Sequence, residues 1–251
     1  MNNILYTKKK NPTYENFEAE CPYCFHFNIY NRATDFKTFN PVSFKTVKCQ
    51  NKDCKKLFNI NFDLINSAFE MMILYSYELI ERKKYMACIL NLTQSLEIFF
   101  NTFLCAELIY KLIKRDADFE EDVLNSIMKK FYSSIKDYSY NHLRNIFLNW
   151  FTNNLTTASF NESVEIINNF LIYKNTPPLN DLRVVTEPEL YQLLIKLYNC
   201  KINELRNKII HSNAYRPNLS ETEMYLEEVN SIVFGLRRKL GILSSNINHY
   251  V

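Results

Sequence analysis

Glycine is almost missing from this chain: two occur in 251 residues, Gly235 and Gly241. That excludes glycine-rich phosphate-binding loops and argues against a fold built on many tight β-turns. Helices are favoured instead. No run of about 18 uninterrupted apolar residues occurs, so neither a membrane span nor a membrane partner is expected. The opening MNNILYTKKKNPTYENFEAE lacks the apolar stretch of a secretion signal, which points to the cytoplasm. In that compartment the seven cysteines are expected as reduced thiols or metal ligands rather than disulfides. A large excess of one charge is missing too, since the net charge is +3.

What is present is apolar and aromatic. The chain is 47% hydrophobic and 15% aromatic, enough to bury a substantial core in one large domain or two smaller ones. Its charge is unevenly spread. Residues 1–65 hold ten Lys/Arg against six Asp/Glu, and the remainder holds twenty against twenty-one. The excess concentrates in KTVKCQNKDCKK, a small basic patch of the kind that binds polyanions or only aids solubility.

The hydrophobic pattern divides the chain in two. Over residues 13–63, short aromatic and β-branched runs predict strands in FHFNIY (25–30), TVKC (46–49) and LFNINF (57–62). From residue 64 to 251 the period becomes helical. Helices are predicted near 64–80, 83–114, 119–134, 139–151, 160–173, 188–212 and 220–241. Ser220 and Glu223 in SETE form a candidate capping box for the last of these. The longest loop is NTPPLNDLRVVTEP, with its three prolines.

Four cysteines form two close pairs, Cys21 and Cys24 in CPYC, and Cys49 and Cys54 in CQNKDC. Two tight turns, each presenting two thiolates, make a tetrahedral site for zinc, and binding energy replaces the core that so small a β-domain lacks. Four thiolates leave no open coordination position, so the zinc is expected to be structural. His26 is at best a substitute ligand. Cys88, Cys105 and Cys200 lie in helical segments and are expected as small core residues. Residues 15–63 resemble the zinc ribbon family, whose members bind nucleic acid or protein, or stabilise a chain end.

The second cluster lies in NELRNKIIHSNAY. Taken as one helix over 188–212, Leu194, Tyr198, Ile202, Leu205 and Ile209 form a core stripe. Glu204, Arg206, Asn207 and His211 then fall roughly opposite, with apolar Ile210 among them. An outward Ile flanked by Arg, Asn and His reads as a contact with a second subunit across a two-fold axis. Arg206 and His211 are about 140° apart on this wheel, so they flank a cleft rather than share a narrow face.

RNKIIH resembles the R-x4-6-H motif of the HEPN family, with Asn207 as the polar residue after the Arg. LNLTQSLEIFFNTFL (90–104) is similar to that family's paired core helices. The resemblance implies a mainly α fold: a helical HEPN-like bundle over 64–251, with a helical insertion at about 115–188, preceded by the small β-rich ribbon. It also implies a metal-independent endoribonuclease that acts on RNA as a homodimer. Such a protein serves as a toxin, in antiphage defence or in RNA processing, sometimes with an antitoxin or defence partner; some members only bind. Arg206, Asn207 and His211 are the candidate catalytic residues, Glu204 a candidate accessory group that more simply makes a surface ion pair, and Ile210 the candidate dimer contact. Some family toxins carry a Tyr two places after the His. Here position 213 is Asn and the nearest Tyr is Tyr215, so control by modification of that Tyr is not expected. Trp150 and Tyr191 are expected to serve the core.

Overall fold

The computed structural model describes residues 15–62, 67–115, 121–212 and 215–241; the predicted boundaries at 13–14, 63–66 and 119–120 lie outside these. The fold is mainly α, with a small β-rich unit before it. Strands β1 (Asn16–Glu20) and β2 (Phe27–Asn31) form one antiparallel hairpin, and β3 (Ser43–Lys48) and β4 (Leu57–Phe62) form another. The registers pair Glu18 with Ile29 and Val47 with Phe58. Strand β1 went unpredicted because NFEAE is poor in β-branched residues. Between the hairpins the backbone makes a single π-type turn, Arg32–Phe36, capped by the Asn31 side chain.

The helices follow as α1 (Ala68–Glu81), α2 (Tyr85–Cys105), α3 (Lys111–Arg115), α4 (Glu121–Ile135), α5 (Tyr140–Thr152), α6 (Phe160–Asn168), α7 (Phe170–Tyr173), α8 (Pro188–Asn199), α9 (Ile202–His211) and α10 (Leu219–Leu240). Helix α2 is the axis of the bundle. It is buried along its length, from Cys88 and Ile89 through Leu92, Leu96, Phe99 and Phe103 to Leu104, and it packs against α1, α5, α9 and α10. Its rings set the packing. Phe99 meets Phe69 of α1 edge-on at 5.3 Å, and Phe103 lies 4.7 Å from Phe147 and 5.7 Å from Trp150 of α5. Trp150 is buried, and Tyr191 packs on the same core. The segment expected as an insertion, 115–188, shares this core through Phe131, Ile167, Phe170 and Leu182. Part of the expected long loop winds into a short 3-10 helix, Leu179–Val184, which buries Leu182.

Three predicted elements are corrected. The helix expected over 188–212 is two helices. Cys200 leaves the helical track at ψ 122°, and its buried thiol donates to the Glu228 carboxylate of α10 at 3.3 Å. The helix expected over 160–173 breaks at Asn169. The last helix is capped by Asn218, not Ser220: its side chain accepts from the Glu221 N–H at 2.8 Å, so Ser220 already sits in the first turn. At the other end Gly241 adopts φ 62°, the left-handed conformation that closes a helix most easily when the residue is glycine.

One buried charge staples the first helix to the last. Glu70 is fully buried at the start of α1. One carboxylate oxygen accepts from the Ser67 N–H and hydroxyl, at 2.8 and 2.7 Å, and the other meets Arg237 of α10 at 2.8 Å. Removing the guanidinium strands a charge out of water, whereas the neighbouring Arg238–Glu189 pair is exposed and screened. Arg237→Met is therefore expected to lower unfolding free energy by about 3 kcal/mol in urea titration, and Arg238→Met to leave the midpoint close to that of the parent.

Candidate metal centre and candidate active site

Each hairpin carries a cysteine turn at one end. In the first, the Phe25 N–H donates to the Cys21 carbonyl at 2.8 Å, and the Cys21 N–H donates to the His26 carbonyl at 3.0 Å. In the second, the Lys55 N–H donates to the Asn51 carbonyl at 3.1 Å, and the Cys49 N–H donates to the Lys56 carbonyl at 2.9 Å. Asn51 thus takes the backbone place that Cys21 holds in the first turn. Its side chain accepts from the Asp53 N–H at 3.0 Å, and the two extra residues of C-x4-C are absorbed there. Phe25 and Lys55, each following the second cysteine of its turn, match at φ 57° and 50°. Glycine is the default residue in that left-handed conformation.

The turns bring four sulfur atoms together. Cys21 and Cys54 are 3.8 Å apart, Cys24 and Cys49 are 3.7 Å apart, and all four lie within 4.8 Å of one another. A tetrahedral ion with bonds of about 2.3 Å requires sulfur–sulfur edges of about 3.8 Å, and a disulfide requires about 2 Å. The spacing fits a metal and not a disulfide. Burial pushes the Cys21 thiol up, but the Tyr23 and Cys24 N–H groups and the neighbouring thiols outweigh it, drawing it down to about 7. Burial raises the three helical thiols, Cys88 and Cys200 to about 12 and Cys105 to about 11, with hydrogen bonds only partly offsetting it, as suits core residues; burial likewise pushes the Cys49 thiol of the cluster up to about 12. His26 is exposed and lies outside the four-sulfur group.

Buried Asn28 joins the hairpins, donating to the Ala19 and His26 carbonyls and accepting from the Gln50 N–H. The Gln50 amide in turn brackets the free edge of Ile29, accepting from its N–H at 3.2 Å and donating to its carbonyl at 2.8 Å.

Helix α9 carries the second candidate site. Arg206 and Asn207 are half-buried, and the guanidinium donates to the Asn207 side-chain oxygen at 3.1 Å. Ile209 is buried, Ile210 is 47% exposed, and His211 stands exposed as the last helical residue. Among the described residues no hydrogen bond joins His211 to Arg206 or Asn207. Glu204 pairs with Lys201 at 3.8 Å on the surface, the simpler of its two expected roles. Asn213 lies outside the described residues, and the Tyr215 hydroxyl donates to the Glu221 carboxylate at 2.7 Å.

Two further polar groups at this place escaped the sequence reading. Glu97 is the only charged residue of α2. Burial pushes its carboxyl up, while the Arg206 guanidinium and the Tyr140 N–H at the start of α5 draw it partly back. A lone carboxylate in the apolar run LNLTQSLEIFFNTFL was the signal that could have found it. Asn203 of α9 is buried; its amide donates to the Asn141 side chain at 3.2 Å, and its oxygen has no partner among the described residues.

Because Glu97 is raised above its ordinary value of 4.5, the folded state disfavours the ionised carboxyl. That cost is absent in acid and appears as the pH rises through the ordinary carboxylate range. Glu97→Gln is accordingly expected to raise the urea midpoint at pH 7 and to match the parent near pH 4. Equal midpoints at both values would place Glu97 in an unstrained environment. In comparison with known proteins, no family model, no curated protein and no solved structure matches this chain, so its function is argued from these two clusters.

Proposed function

We propose that this chain is a metal-independent endoribonuclease of the HEPN type, acting as a homodimer, in the manner of a toxin or antiphage effector. One observation carries the reading: on α9 the half-buried Arg206 acts by charge on a half-buried carboxyl, Glu97, while His211 and apolar Ile210 are exposed. A single chain then offers a phosphate site and a proton carrier on different sides of one helix. A second copy docked over Ile210 supplies the missing half of each.

RNA carries its own nucleophile. The ribose 2′-oxygen attacks phosphorus, the bond to the 5′-oxygen breaks, and a 2′,3′-cyclic phosphate and a 5′-hydroxyl result. One group must take the 2′-hydroxyl proton and another must protonate the leaving 5′-oxygen. Histidine performs both tasks near neutral pH, and a dimer brings two copies of His211. Arg206 neutralises the non-bridging phosphate oxygens as charge builds there. Asn207 orients Arg206 through their hydrogen bond, and Glu97 holds the guanidinium by charge.

The four-sulfur cluster is assigned to Zn2+. The thiolates of Cys21, Cys24, Cys49 and Cys54 fill its coordination, so it stabilises the ribbon and takes no part in cleavage. The separation of Arg206 from His211 within one chain also favours a second reading, a non-catalytic binding or scaffold protein in which this face is only a contact.

Two measurements test these assignments. Purified protein incubated with mixed RNA in EDTA is expected to yield 2′,3′-cyclic phosphate ends, and His211→Ala to lower the rate at least about a hundredfold. No cleavage, or cleavage that survives His211→Ala, leaves the scaffold reading. Metal analysis of the native chain is expected to find about one equivalent of zinc, lost in Cys49→Ser; a metal-free native protein rules the centre out.

A further inference from the structure

Helix α8 stops at Asn199, and the chain turns through Cys200 before α9 begins. A groove of about 540 Å3 lies at this break, lined by the end of α8, by Lys201 and by α10. That volume is within the range of small-molecule sites. Its walls carry opposite charges. Lys196 and Lys201 stand on one side, and Glu227 and Glu228 come from α10 together with the Tyr225 ring. Among the described residues these charges do not neutralise one another. Lys196, Glu227 and Glu228 make no ion pair, and Lys201 has only its exposed contact with Glu204 at 3.8 Å. Glu228 is nonetheless fixed in place. The buried Cys200 thiol donates to its carboxylate at 3.3 Å, and burial pushes that thiol up to about 12, so it remains a donor at neutral pH.

The charges around the groove sum to a small negative excess. The Tyr225 hydroxyl is pushed up first by burial, then by Cys200 and by the carboxylates of Glu228, Glu221 and Glu204. Arg144 adds a positive charge near the Cys200 thiol. Four carboxylates (Glu204, Glu221, Glu227, Glu228) therefore face three cations (Lys196, Lys201, Arg144). A nucleoside phosphate, rich in negative charge, meets the excess of carboxylates and is disfavoured. A simple amine satisfies the acids but leaves Lys196 and Lys201 unanswered.

From this juxtaposition we infer that the groove between α8 and α10 is a binding site for a small amphoteric cation with the chemistry of a free basic amino acid. Its guanidinium or ammonium lies against Glu227, Glu228 and the Tyr225 ring, where carboxylates and a π-face both attract a cation. Its carboxylate is held by Lys196 and Lys201. Such a ligand carries one net positive charge and closes the local balance. The site takes none of Arg206, Asn207 and His211, so it stands whether or not the chain cleaves RNA.

The test is calorimetric titration of the native full chain with four probes: L-arginine, L-lysine, agmatine and L-citrulline. Agmatine keeps the guanidinium and lacks the carboxylate, whereas citrulline keeps the shape of arginine and lacks its charge. L-Arginine or L-lysine is expected to saturate the site below about 1 mM, and agmatine and citrulline to bind at least about tenfold more weakly than the better of the two. That ligand is also expected to raise the melting temperature of the parent. Glu227→Gln is expected to weaken its binding about tenfold. Lys196→Gln is expected to weaken it by a similar factor while leaving agmatine unchanged. Neither side chain has an ion pair to lose, so both variants are expected to melt with the parent in the absence of ligand. Agmatine binding as tightly as arginine overturns the inference, since the acids alone then hold a cation, as they would a basic side chain of another protein. Citrulline binding equally well overturns it too, because the charge is then not read. So does an absence of saturation by about 10 mM of either amino acid, or an affinity unmoved by both substitutions.

Discussion

A helix that buries eleven of its 21 residues, most of them apolar, has to be enclosed, and α2 is such a helix. Burying each of its large side chains is worth about 2 kcal/mol, so the other helices are arranged to cover it. Helix α1 comes down one flank through Phe69, α5 brings Phe147 and Trp150 to another, and α9 and α10 close the rest. Glu97 is the one charged residue in α2. A carboxyl there survives only because its neighbours supply an N–H from the start of α5 and a guanidinium from α9. The candidate catalytic arginine is thus held at the point where the central helix is least content to be buried.

The ribbon obeys a different constraint. Its core is a handful of side chains, among them Phe17, Tyr30, Val47, Phe58 and Ile60, too few to order a unit of this size alone. The four sulfur atoms can supply what the core lacks if a cation sits among them, because thiolates within 4.8 Å of one another repel strongly. The glycine scarcity of the chain meets its sharpest test in the same turns. Phe25 and Lys55 fill left-handed positions there with exposed side chains, as Lys37 and Phe44 do elsewhere in the same unit.

Much of this was legible in the sequence, and the illegible part has a common cause. The cysteine pairs announced a four-sulfur cluster that could hold a metal ion, because ligand spacing is local. The change of period near residue 64 separated ribbon from helices, and the apolar run at 90–104 marked the central helix, both from near-neighbour patterning. What failed was non-local. Nothing between residues 188 and 212 states that the chain must break at Cys200; the reason lies on α10, in the Glu228 carboxylate that receives its thiol. Asn218 and Ser220 are both good caps, and residue type alone does not choose between them. Glu97 was readable in principle as an isolated charge, but its partner stands more than a hundred residues away.

The break at Cys200 also decides what α9 can do. On one continuous wheel Asn203 lies about 180° from Leu194, outside the core stripe. With the helix restarted at Ile202 it turns inward and is buried. Arg206 lies about 40° round from Ile202 and is carried to the inner side with it, while His211 lies about 180° away, in solvent. Arg and His are thus driven further apart in function than their five-residue spacing implies. The proposed catalysis accordingly draws on a second His211, presented to the Arg206 side by another copy.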